Sequence, residues 1–189
     1  MENLNKVIVS DKKLNAIIAD YKEKKKSDVW ADFCKKNDLK KVIEQAALAE
    51  EPSGRRFDHQ RRIRKGALPR FKEELLKEEA KIKTATTFEE LLNIVEQCGG
   101  EIKWIGELAC YDTAMLIGIK LNIHPTKIYM HAGPRNGAKN LLGLKRVGKF
   151  LEKDIFPVSL QKLTAHDIEA ILCIYWDQLG DDNEFKPEK

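Results

Sequence analysis

Long apolar runs are missing from this chain, as are paired cysteines, strand-like alternation and any fixed repeat. Without a run able to span a bilayer, and with Met1-Glu2-Asn3 unlike a basic leader, a soluble cytoplasmic protein with no membrane attachment is expected. Cys34, Cys98, Cys110 and Cys173 lie far apart with no CxxC pair. That spacing disfavours zinc ribbons and redox motifs, and leaves reduced, mostly buried thiols. No motif asks for a cofactor or a metal. The expected class is all-α.

Net charge is equally sparing with information: 34 Lys and Arg against 30 Asp and Glu leave only +4. Distribution says more. Between Asp112 and Glu152 there is no acidic residue, while Lys120, Lys127, Arg135, Lys139, Lys145, Arg146 and Lys149 all fall in that interval. A stretch of one sign in a chain otherwise dense in both suits a phosphate-bearing partner.

The order of the chain predicts an N-terminal helical bundle over residues 1–51. Leu14, Ile17, Ile18 and Tyr21 recur at helical spacing, and the Lys24-Lys25-Lys26 run suits the C-terminal end of that helix. Ser27 or Asp28 would cap a second helix presenting Val29, Trp30 and Phe33. Asn37 or Asp38 would cap a third with Leu39, Val42, Ile43, Ala46 and Ala47 inward. Glu50-Glu51-Pro52-Ser53-Gly54 then breaks the chain. Residues 52–68 read as a basic linker or arm carrying Arg55, Arg56, His59, Arg61, Arg62, Arg64 and Lys65 against one acid, Asp58. Arginine's planar guanidinium is the better phosphate fork, so the arm is a candidate nucleic-acid contact. Pairing with the protein's own acidic helices is the other reading.

Residues 69–180 are expected to form the larger helical domain. Pro69 suits a first helical turn, with Phe71, Leu75 and Leu76 inward to about Ile82. Thr87 and Glu90 make a capping box, and Gly99-Gly100 suggests a left-handed stop. A largely buried helix follows from Glu107 to Leu121, with Asp112-Thr113 in its apolar length. After Asn122 and Pro125 come a turn at His131-Ala132-Gly133-Pro134, a helix over 136–142 and a second basic helix from Leu144 to about Lys153. Thr164 and Asp167 open the last core helix, and the tail 181–189 is polar and expected to fray.

Gly133-Pro134-Arg135-Asn136-Gly137-Ala138-Lys139 has the chemistry of a backbone phosphate site: glycines for close approach, Pro at a helix start, and cations alongside. It resembles, in stretched form, the hairpin of the helix-hairpin-helix superfamily, with Ile105-Gly106 and Thr113-Ala114 as a degenerate first copy. That resemblance implies DNA binding by backbone contact with little base readout. From His59-Gln60-Arg61 through Tyr111-Asp112-Thr113-Ala114, His131-Ala132-Gly133 and Cys173-Ile174-Tyr175, the chain also resembles a widespread set of bacterial proteins. That likeness implies a compact helical domain and no particular reaction.

The candidate nucleic-acid contacts are therefore Arg55, Arg56, Arg61, Arg62, Arg64, Gly133, Arg135, Asn136, Gly137, Lys139, Lys145 and Arg146, with DNA, or RNA, as the partner. A protein adaptor docking an acidic partner through the same arginines is the competing class. An enzyme reading also exists. Asp112-Thr113 is similar to the Asp-Thr step of helix-hairpin-helix glycosylases, and Lys139 is the lysine placed for attack. His131 completes the catalytic candidates, and a nuclease would want more carboxylates than Asp112 and Glu107. The residues favour a binding module over an enzyme.

Overall fold

The computed structural model describes residues 9–25, 29–57, 60–64 and 66–187. In chain order its helices are α1 (Asp11–Lys24), α2 (Val29–Lys36), α3 (Leu39–Ala47), α4 (Ala67–Lys77), α5 (Glu79–Thr84), α6 (Phe88–Gly99), α7 (Glu107–Leu121), α8 (Ala132–Leu142), α9 (Val158–Gln161) and α10 (Ala165–Ile174). Two strands, β1 (Ile128–Tyr129) and β2 (Phe150–Leu151), complete an otherwise helical protein.

The chain divides into two compact units: Met1–Lys26 with Thr126–Lys189, and Ser27–Pro125. The three N-terminal helices are thus shared out, α1 to the terminal unit and α2 and α3 to the inserted one. Residues 52–68, expected as a linker, lie wholly within the inserted unit.

In the inserted unit α7 packs against α2, α3 and α6, and α4 lies against α3 and α6. Its core includes Val42, Ile43, Phe71, Leu75, Phe88, Leu91, Val95, Ala114 and Ile117, each at most 1% exposed. The capping box at Thr87 and Glu90 forms as expected. Gly100 is right-handed (φ −61°), so the helix ends without a left-handed cap; Asn122 (φ 56°) supplies one for α7 instead. The single helix expected from Pro69 to Ile82 starts at Ala67 and breaks at Glu78. Pro69 still falls in the first turn, where a missing N–H costs no bond.

In the terminal unit α8 and α10 pack along their length, and α1 closes the core with Leu14 and Ile17 fully buried. Tyr21 and Lys25 both donate to Asp167 Oδ1, at 2.8 and 2.7 Å, while Thr164 donates to Oδ2 at 2.8 Å. Burial works against ionisation of Asp167, and these donors outweigh it and hold the carboxyl below the usual range. The same burial, with Asp167 beside it, pushes the Tyr21 phenol upward.

Three expectations fail here. The second basic helix after Leu144 does not form: Gly143 ends α8 in the left-handed region (φ 65°), and the following chain pairs β2 with β1. Ile128, fully buried, is opposite Leu151, so tertiary burial makes a strand that two residues could not announce. The tail does not fray up to Pro187. Asp181 accepts from the buried Lys13 ammonium at 2.9 Å, Asp182 accepts from the Ser10 N–H at 2.8 Å, and Phe185 meets the Tyr175 ring at 6.2 Å.

Candidate functional site

The described residues of the arginine segment are folded. Its backbone bridges to α3's end through Phe57 N–H to Ala49 O at 2.9 Å and Glu51 N–H to Arg55 O at 2.6 Å. Turns at Gln60, Ile63 and Ala67 continue the bonding, and Phe57 stacks on Trp30 at 6.3 Å. Arg56 is drawn inward: its Nη2 donates to Ile63 O at 2.6 Å, and its Nε is buried without a hydrogen-bond partner among the described residues. Arg56 thus helps close the turn. Arg55, Arg61, Arg62 and Arg64 are exposed. Asp58, His59 and Lys65 lie outside the described residues, as do Lys26, Ser27 and Asp28.

Arg64 leads to a feature that residue patterning missed. Its guanidinium lies 4.7 Å from the ring centroid of Trp104, and Lys103 Nζ lies 5.6 Å from the same centroid. Trp104 is 48% exposed and has a positive φ of 84°. Leaving about half an indole in water forgoes roughly 2–3 kcal/mol of burial. The left-handed backbone of a bulky residue costs on the order of 1–3 kcal/mol more.

The loop is pinned on both sides. Ile102 is 5% exposed, its N–H bonds to Gly99 O, and Ile105 N–H bonds to Ile102 O. A Cβ on Gly99 would fall 2.8 Å from both Cys110 Sγ and Ile105 Cγ2, so glycine is what lets loop and helix close together. With Ile102 buried and Ile105 half-buried against Gly99, Lys103 and Trp104 are left exposed.

Asp112, the carboxylate of α7, accepts from the side-chain amide of the buried Gln60. Thr113, 2% exposed, donates to Ala46 O at 3.5 Å. The Asp-Thr step thus ties α7 to the arginine segment and to α3. Asp112 belongs to the inserted unit, whereas the other catalytic candidates, His131 and Lys139, belong to the terminal one.

In the terminal unit α8 begins at Ala132, with His131 as its N-cap position, earlier than the expected start at Asn136. Gly133 and Gly137 are therefore helical residues, and both face α10. A Cβ on Gly133 would sit 2.4 Å from Cys173 Sγ, and one on Gly137 would sit 2.1 Å from Leu172 O. Helix packing accounts for both glycines without a phosphate. The helix expected to precede them, α7, lies in the other unit. Asn136, Lys145 and Arg146 are exposed, Lys139 is half-buried, and Arg135 Nε is buried without a hydrogen-bond partner among the described residues.

His131 meets a residue that periodicity did not single out. Its Nε2 is 2.6 Å from Glu169 Oε1, with side chains 10% and 7% exposed, without hydrogen-bond alignment. His166 Nδ1 is 3.7 Å from the other carboxylate oxygen. A buried carboxylate needs such neighbours, and residue order does not tell that Glu169, two residues after the capping Asp167, faces inward. Among the described residues no group of three or more His, Cys, Asp or Glu could hold a metal ion. No helix of the described residues is long and apolar enough to cross a membrane.

No family model, no curated protein and no solved structure matches the chain. The likeness to helix-hairpin-helix proteins stays a resemblance of sequence.

Proposed function

We propose that this protein binds nucleic acid through phosphate contacts made by the arginine segment of its inserted unit. The observation that carries the reading is the display of Arg55, Arg61, Arg62 and Arg64 as exposed side chains on a hydrogen-bonded segment, with Arg64 seated over an exposed tryptophan. Ordered backbone beneath a phosphate fork lowers the entropy lost on binding, which a flexible basic tail would have to supply in full. Lys145 and Arg146 are proposed as further cationic contacts.

Binding rather than turnover fits the catalytic candidates. Asp112 is engaged by Gln60 and His131 by Glu169. Lys139 is half-buried on a helix whose glycines serve packing.

The test is affinity against salt for a random duplex and a random single strand. Phosphate contacts give a linear fall of log K with log salt, with a slope near −0.9 per contact on duplex DNA. Replacing Arg61 and Arg62 together with alanine would lower that slope by roughly two units with the fold intact. Absence of polynucleotide binding at about 10 micromolar and low salt would remove the proposal and favour an acidic protein partner.

A further inference from the structure

We propose that Trp104 is a stacking platform for an unpaired base, so that the partner is a single-stranded or locally opened polynucleotide. The inference rests on the nucleic-acid reading of the same surface and specifies its substrate class.

Charge alone would be served by any polyanion. The tryptophan is what narrows it. An indole 48% exposed, on a loop with Ile102 buried and Ile105 half-buried, presents a π-surface over which the Arg64 and Lys103 cations rest. Proteins that hold single strands combine these two elements, a cationic track for the backbone and aromatic faces for successive bases. Arg64 serves both: its guanidinium is itself a flat group on which a base stacks, and it carries the charge a neighbouring phosphate needs. A base slides onto the indole, with Arg64 sandwiching it or moving to the adjoining phosphate. In a duplex the bases are stacked on one another and offer no face, so Trp104 gains nothing there.

An acidic peptide is the less suitable occupant. It supplies charge for Arg62 and Arg64 but no base to lie flat on the ring, so Trp104 would add nothing to its binding.

The experiment compares the full chain with Trp104→Ala and Trp104→Phe. Probes are a 12-mer of thymidine, a 12-mer of uridine, a random duplex of the same length and a 12-mer of abasic deoxyribose phosphate. Circular dichroism verifies the fold of each variant. Trp104→Ala is expected to weaken binding to the based single strands about 5- to 100-fold. It should change duplex and abasic binding less than about 2-fold and leave the salt slope unaltered, because no phosphate contact is lost. Trp104→Phe should restore part of the loss. The two single strands decide whether DNA or RNA is preferred. Equal losses on all four probes, or no loss on any, would overturn the stacking proposal while phosphate binding stood. Failure of the unmodified chain to bind any of them would overturn both.

Discussion

Gly137→Ala asks directly whether the glycines of α8 serve helix packing. A Cβ at Gly137 would lie 2.1 Å from the Leu172 carbonyl oxygen and 2.8 Å from both its carbonyl carbon and its Cα. Ordinary contact begins at 3.4 Å, so the shortfall against the oxygen is 3.4 − 2.1, about 1.3 Å. The obstacle is helical backbone and cannot rotate aside like a side-chain tip. The two helices must part, and Ala138, Leu141, Ile168 and Leu172, all 0% exposed, lie in the core that would open. Overpacking typically costs about 1–3 kcal/mol, and a backbone obstacle belongs at the upper end. Alanine's better helix propensity returns about 1 kcal/mol. The net expectation is a loss of about 2 kcal/mol, read as a drop in melting temperature of about 4–8 °C. Gly180→Ala is the control: its Cβ would meet only the Asn140 side chain at 3.6 Å or more, and a change within about 0.5 kcal/mol is expected. A Gly137→Ala protein as stable as the unmodified chain would refute the close α8–α10 crossing and return the glycine to the phosphate reading.

Asp112→Ala should destabilise by about 1–3 kcal/mol, because it strands the amide of the buried Gln60; urea unfolding measures it. Loss of polynucleotide binding in proportion to the unfolded fraction alone is the companion expectation, and a fully folded variant with no binding would contradict it. The terminal unit should lose stability in acid. Asp167, Asp20, Asp181 and Asp182 all ionise below their ordinary value when folded, held by Lys25 and Tyr21, by Lys24, by Lys13 and by Ser10. Depressed carboxylates contribute fully above about pH 4 and lose that contribution as pH falls through the folded values, so Asp167→Asn should flatten the stability profile below about pH 4. Cys98 should resist alkylation at pH 8. Burial, and then Glu78 and Glu74, raise its thiol to about 11, leaving little thiolate until the protein unfolds.

What the sequence determined by itself was local. The Thr87–Glu90 capping box, the Thr164 and Asp38 caps, the apolar stripes of α1, α3 and α6 and the end of α7 at Asn122 all depend on residues within a few positions of one another. Side-chain oxygens and helical spacing act over one or two turns, so residue order carries them. The all-α class follows from that sum. What the tertiary structure decided was partnership across long separations. Nothing near Tyr21 announces Asp167, 146 residues on, so residue order groups α1 with its neighbours in sequence and the structure places it on the C-terminal core. Two glycines four apart fit a phosphate loop or a helix crossing equally well, and only the carbonyl of Leu172 beside one of them tells which. Residue order places Trp104 at the turn before α7 and does not say which way its ring faces. Its exposure follows from Ile102 claiming the interior and Gly99 letting the loop close tight against Ile105, which is a competition for space that no local pattern records.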